Sequence, residues 1–423
     1  MDTFSLPAHL SRRRWSLFAV LALIYMLVYF YRVSLAVIAG DVSQDLQLTP
    51  EELGTLSGIL FYVYALAQLP LGPLIDRFGG RLVISGCGLL TTAGGLLFSQ
   101  AQSLNAAMIA RMLIGVGTAS VLMATFAIFS RWYSRQEFGR ASSLMIAFGN
   151  LGNLCGTAPL ALGVAAVGWR QSFLFIAVLQ GIATLFIFIL VRDRPPLPVA
   201  AVGGEAPRKI GIFAAWRMIF SSGSFWLLGM LCFFWYGNYL AIQGLWGGPY
   251  LRELMGLSRE KTGQMLMYVS IGFVIGSYCS DACVRRFFAG SQKWMLIVGS
   301  SFLALLMTAF LGWGEVLPPW LLALTLLLLG LAVSSGVLIY PIIRASFPVS
   351  IVGTALTSLN FFVLLGAAVT QQVMGMIIGA QTPLGVTPPP AAYHSAFLLP
   401  IVGLVVAIGL YTFAHDTSKP DFR

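Results

Sequence analysis

Gly72-Pro73-Leu74-Ile75-Asp76-Arg77-Phe78-Gly79-Gly80-Arg81 is the stretch from which the architecture of this chain can be read. Three ionised residues and two glycines stand between two apolar runs, 52–75 and 82–101, each long enough to cross a bilayer as a helix. The stretch therefore predicts a tight turn at a membrane face. Gly72 would let helices approach closely, Gly79 and Gly80 permit a positive φ, and Asp76 can face the positive N-terminal end of a neighbouring helix.

Working outward from this turn, the same alternation continues along the whole chain. Apolar runs fall at 15–40, 52–75, 82–101, 104–130, 141–166, 169–191, 222–245, 261–284, 293–313, 318–343, 351–379 and 392–414. Composition agrees. Of 423 residues, 58% are hydrophobic and 9% charged, against about 25% charged in a soluble domain. Such a chain has too little polar surface to cover a water-soluble fold, so a cytosolic or secreted enzyme, a disordered chain and a disulfide scaffold are excluded. Helices are expected because a membrane barrel would show short alternating strands.

Net charge is +10, and its placement explains it. With the N-terminus in the cytoplasm, only Arg170, Arg252, Arg259 and Lys261 fall on the outer side. Arg32 and Arg111 lie within spans, and every other Lys and Arg is cytoplasmic. This bias places both termini inside and makes the positive charge lipid-facing rather than a nucleic-acid patch. Arg12-Arg13-Arg14 leads into a span too long for a cleavable signal. The five cysteines sit in apolar stretches and read as small hydrophobes. Cys279 and Cys283 share a helix face with no third ligand, so no metal site is expected. Residues 192–221, rich in Arg, Pro and Gly, form the longest polar connection. They divide the chain into a 1–191 bundle and a 222–423 bundle of six spans each, a parallel-repeat design known among transporters.

The quoted turn resembles the signature G-x-L-x-D-R-x-G-R-[KR] of the major facilitator superfamily, matched by Gly72, Leu74, Asp76, Arg77, Gly79 and Arg81. A weak second copy is found in Gly276, Asp281, Arg285 and Arg286. Arg111-Met112-Leu113-Ile114-Gly115-Val116-Gly117 resembles the family's R-x-x-x-G-x-G element, and Gly149–Pro159 its Gly/Pro-rich element without the usual Gly-Pro pair. The resemblance covers 15–414. It implies an all-α membrane protein of twelve helices in two pseudo-symmetric bundles, moving a small solute by alternating access. It also implies a conformational switch in which Asp76 closes the cytoplasmic side with Arg131 or Arg140 as partner, within a set comprising Gly72, Arg77, Gly79, Arg81, Arg111 and Asp281.

Tyr25, Tyr29 and Arg32 lie at i, i+4, i+7 on one face of the first span. A cation inside a membrane faces a cavity or a partner, or snorkels outward. Residues 29–37 resemble the first span of the anion:cation symporter branch, Y-x-x-R-x-N-x-x-V, with Ser34 in place of the Asn and Tyr31 in place of a common acid. That resemblance implies that Arg32 contacts an anionic substrate. In the seventh span Tyr236, Tyr239 and Gln243 share a face, and together with Asn238 and Asn360 they make an expected aromatic and polar lining. No carboxylate lies at mid-membrane, and Thr118 stands where proton-coupled relatives commonly carry a Glu. There is no phosphate-binding loop for ATP.

The expected function is therefore transport of a small organic anion or carboxylate-bearing zwitterion, with or without a co- or counter-transported ion. The setting would be a bacterial-type inner membrane, and the chain a monomer without cofactor. An exporter of hydrophobic compounds is the alternative, and a membrane sensor or assembly factor a third class.

Overall fold

The computed structural model describes residues 8–133, 135–194, 212–348, 351–383 and 386–414. Twelve helical elements cross it in chain order: α1 (Ala8–Leu46), α2 (Pro50–Phe78), α3 (Gly80–Ser99), α4 (Leu104–Trp132), α5 (Arg135–Cys155), α6 (Ala158–Leu190), α7 (Gly223–Leu254), α8 (Arg259–Phe287), α9 (Gln292–Leu311), α10 (Pro319–Ser346), α11 (Val352–Ala380) and α12 (Pro390–Tyr411). They form two six-helix bundles, α1–α6 and α7–α12. Lipid supplies what a water-soluble core would otherwise need, so large apolar side chains such as Leu89, Leu162, Phe175 and Leu305 point outward.

Local chemistry sets the ends. Thr49 and Glu52 form a reciprocal capping box at the start of α2, with Pro50 in the first turn. Ser103, Ser258 and Ser291 accept from backbone N–H groups at the starts of α4, α8 and α9. Within each bundle, helices approach through small residues. A Cβ on Gly272 would stand 1.9 Å from the Leu327 oxygen, and one on Gly330 would stand 1.9 Å from the Val269 oxygen, so α8 and α10 touch backbone to backbone.

Several expected boundaries shift for identifiable reasons. α1 runs through the polar residues Asp41–Asp45 to Leu46, beyond the expected end at 40, because a helix leaves the apolar layer before it stops. α7 likewise reaches Leu254, through π-helical turns at Ala241–Trp246 and Tyr250–Leu254. The fifth span is interrupted rather than continuous. α5 ends at Cys155, and the chain resumes at Ala158 with Pro159, whose missing N–H suits a first turn. Gly168, at φ 81°, then breaks α6 into runs 158–167 and 169–190. The connection 192–221 holds a short helix, Ile212–Phe220. Its Gly/Pro-rich part, 195–211, lies outside the described residues.

The two bundles meet at the face opposite the start of α1. There Asp41 accepts from Arg259 and stands 3.6 Å from Arg252. Ser57 Oγ donates to Gln371 Oε1 at 2.7 Å, and Tyr62 OH donates to Gln372 Oε1 at 2.8 Å. Trp246 Nε1 donates to the Gln371 oxygen at 2.9 Å, and Gln371 Nε2 to the Leu240 oxygen at 2.9 Å. Gln371 thereby ties α2, α7 and α11 together.

Candidate functional site

A cavity of about 470 Å³ lies between the bundles, lined from α1, α4, α5, α7, α8, α10 and α11. Its inner end is at Arg32 and Tyr239. Its lining reaches Phe138 near the start of α5 and Arg344 near the end of α10, on the face where α1 begins. The volume suits a small solute.

Arg32 is 8% exposed, and its Nε has no hydrogen-bond partner. Its guanidinium carbon sits 4.8 Å from the ring centre of Tyr29 and 4.7 Å from that of Tyr64, a cation–π arrangement. The hydroxyls of Tyr64 and Tyr236 also face it. Among the described residues no carboxylate pairs with it. A buried cation without a counter-ion is costly, and this one is held by ring faces and phenols that leave its charge free to meet an anion.

Of the eight residues expected at the site, Tyr25, Tyr29, Arg32, Tyr236, Tyr239 and Asn360 line this cavity. Tyr25 OH donates to Tyr29 OH at 3.3 Å. Asn360 Nδ2 donates across the bundles to Gln68 Oε1 at 3.1 Å. Asn238 and Gln243 are placed elsewhere. Asn238 Nδ2 donates to the oxygens of Phe234 and Pro400, packing α7 on α12. Gln243 Nε2 donates to Ser270 Oγ at 2.9 Å, packing α7 on α8. Their polarity answers neighbouring helices rather than the cavity.

Sequence reasoning passed over Asn150, Asn153, Tyr340 and Arg344, all in the lining. Ser142, Asn150 and Asn153 fall at helical spacing on one face of α5, a polar stripe beside the glycines of that segment. Asn153 Nδ2 donates to Tyr239 OH at 3.2 Å, joining the two bundles. Tyr340 and Arg344 stand i, i+4 on α10, where the sequence alone makes Arg344 one more cytoplasmic charge.

The residues assigned to the switch are dispersed. Gly79 has φ 83° and ends α2, as a tight turn requires. Gly80 is not in that region. A Cβ there would stand 2.8 Å from the Ala124 oxygen, so Gly80 serves close packing on α4. At Gly72 a Cβ would meet nothing within 4 Å, so no close helix contact depends on it. The carboxylate found at the start of α3 is Asp193, which accepts from Arg81 N at 3.0 Å. Arg81 Nε donates to the Phe188 oxygen at 2.9 Å, and Arg77 lies 5.2 Å from the Phe78 ring centre. The side chains of Asp76, Arg140 and Asp281 lie outside the described residues, and Arg131 is in the last turn of α4. Arg111 is far from this turn. It is 1% exposed and donates to the oxygens of Tyr31, Leu56 and Ser57, clamping α4 to α1 and α2.

A family model described as Major Facilitator Superfamily matches residues 21–371. A protein of Escherichia coli (strain K12) described as "Probable L-galactonate transporter" is 28% identical over 64% of this chain and 63% of its own length. A "Probable sulfoacetate transporter" of Cupriavidus necator is 25% identical over 65% of this chain and 66% of its own. The chain thus spans just under two thirds of either relative. The "Probable galactarate/D-glucarate transporter" of Escherichia coli (strain K12) is 24% identical over 86% of this chain and 87% of its own. Among solved structures, a bacterial homolog to the human lysosomal transporter Spinster, in an inward-facing and unoccupied conformation, superposes with a TM-score of 0.75 at 19% identity. That match covers 95% of this chain and 96% of the other.

Proposed function

The chain belongs to the major facilitator superfamily, a family of transporters rather than enzymes, and from that premise we propose that it moves a small carboxylate-bearing organic anion or zwitterion across a membrane by alternating access. The observation that carries the reading is Arg32, a buried guanidinium walled by tyrosines, with an unpartnered Nε and no acidic neighbour among the described residues. A carboxylate seated there would complete a charge-assisted hydrogen bond. The names of the sugar-acid and sulfoacetate transporters among its relatives support an anionic cargo.

The face where α1 begins is assigned to the cytoplasm of a bacterial-type plasma membrane, with both termini inside. On that assignment the cavity opens inward, and the Asp41 and Gln371 contacts close the outer side. Residues 1–191 and 222–423 act as the two rocking units around the 192–221 connection. The chain works as a monomer in the bilayer, with no nucleic-acid partner, and any coupled ion travels with or against the anion. The Asp76 switch, with Arg131 or Arg140 opposite, belongs to this proposal. So does the place of Gly72, Arg77, Gly79, Arg81 and Asp281 at the two corresponding turns.

Export of hydrophobic compounds is the second reading, favoured by the largely aromatic and aliphatic wall. Substitution at Arg32 separates the two. Breaking a buried ionic pair costs about 3–5 kcal/mol, so Arg32→Gln should weaken carboxylate binding by roughly 150- to 5,000-fold. Arg32→Lys keeps charge without the planar fork and should recover only part of it. Unchanged carboxylate affinity in folded Arg32→Gln protein would reject the anion reading in favour of hydrophobic export.

A further inference from the structure

The anion reading leaves open what the rest of the solute looks like, and the cavity wall bears on that directly. Tyr25, Phe126, Phe138, Trp235, Phe273 and Tyr340 present rings to it, and aliphatic side chains of α10 and α11 fill most of the remainder. The amide NH2 groups of the wall are already engaged. Asn150 Nδ2 donates to the Ile146 oxygen at 3.1 Å, Asn153 Nδ2 to Tyr239 OH, and Asn360 Nδ2 to Gln68 Oε1. Beside the amides, the polar groups of the wall are the Arg32 guanidinium, the tyrosine hydroxyls and, towards the mouth, Arg344, whereas Ser142 Oγ and Asn153 Oδ1 have no partner and are closed off from the cavity.

We infer that the cargo is a carboxylate with an aryl or branched aliphatic body and few further hydrogen-bonding groups. This inference rests on the anion reading. Arg32 takes the carboxylate, with the Tyr29 and Tyr236 phenols beside it. The ring-lined wall takes the body. A polyhydroxylated sugar acid fits poorly, because it brings a hydroxyl on each carbon of its body. A hydroxyl buried without a partner weakens binding by roughly fivefold to 150-fold. The inference therefore separates this chain from the sugar acids in its relatives' names.

The test uses the full-length protein in lipid nanodiscs, with binding followed by calorimetry and by thermal stabilisation. The probes are phenylacetate, 4-methylpentanoate, galactonate and phenylacetamide, the last being the neutral isostere of the first. Both apolar acids are expected to bind at least about tenfold tighter than galactonate, and phenylacetamide far more weakly than phenylacetate. In Arg32→Gln the gap between phenylacetate and its amide should close. Galactonate binding as tightly as the apolar acids, or neither apolar acid binding, overturns the inference; if galactonate still depends on Arg32, the anion reading stands. Equal binding of phenylacetate and phenylacetamide to the wild-type protein instead overturns the anion reading itself, and needs no variant to fold.

Discussion

Gly248→Ala is expected to open the face that the structure holds shut. On α7, Gly244 and Gly248 stand one helical turn apart, and Ala36 and Gly40 do the same on α1. The helices meet along these small residues. A Cβ on Gly248 would lie 1.6 Å from the Ala36 oxygen and 2.6 Å from its carbonyl carbon. Ordinary contact begins at 3.4 Å, so the two backbones must part by about 1.8 Å, more than side-chain adjustment can absorb. Overpacking of this kind costs about 1–3 kcal/mol. The molecule can escape that cost by separating the bundles on this face, so the equilibrium should move towards the state open there by roughly fivefold to 150-fold. The assay is pulsed electron–electron distance measurement between spin labels at Gln44, near the end of α1, and Val316, in the α9–α10 link. The five native cysteines are first replaced. The longer-distance population should grow in Gly248→Ala and not in Gly409→Ala, where a Cβ meets nothing within 4 Å. A distance distribution and a thermal stability both unchanged in Gly248→Ala would refute the α1–α7 contact on which the closed face depends.

Asp41→Asn should shift the same distance distribution in the same direction but by less, about 1 kcal/mol or under, because its partners Arg252 and Arg259 are partly exposed. Arg111→Met should lower apparent stability in detergent by about 2–4 kcal/mol, since three backbone oxygens lose a cationic donor in a buried site; an unaltered thermal midpoint would contradict the clamp. Among the described residues no Asp, Glu or His lines the cavity, so phenylacetate affinity should stay flat between about pH 6 and pH 8. It should fall only as acid protonates the ligand's own carboxylate near pH 4–5; a midpoint close to neutrality in a titration series would implicate a protein group. Cysteines placed at Ser221 and Val316 should react with impermeant maleimide from opposite sides of the membrane, and labelling of both from one side would sink the orientation.

What the sequence determined by itself follows from the solvent it is built for. A bilayer imposes a length and a polarity on each crossing, and both are local properties of a run of residues. The twelve crossings, the six-plus-six division and the tight turn at Gly79 could therefore be read without coordinates. Arg32 with Tyr25 and Tyr29 was legible for a related reason, because an intramembrane cation on one helix face demands an explanation wherever that helix packs. Helix spacing says which residues share a face, but not which neighbour that face meets. Tyr236 and Asn238 are two positions apart in the same aromatic segment. Only packing turned Tyr236 into the cavity and Asn238 onto the Pro400 oxygen of α12. Gln243 went to Ser270 in the same way, while Asn153, passed over within a glycine-rich stretch, was carried across to Tyr239. Arg111 reads in sequence like Arg32, a lone cation in a span, yet carbonyls from two other helices make it a structural clamp. Such partners are brought together only by the close approach of helices, within one bundle for Asn238, Gln243 and Arg111 and between the bundles for Asn153. That approach depends on the shape of two surfaces far apart in the chain, and tertiary structure alone decides it.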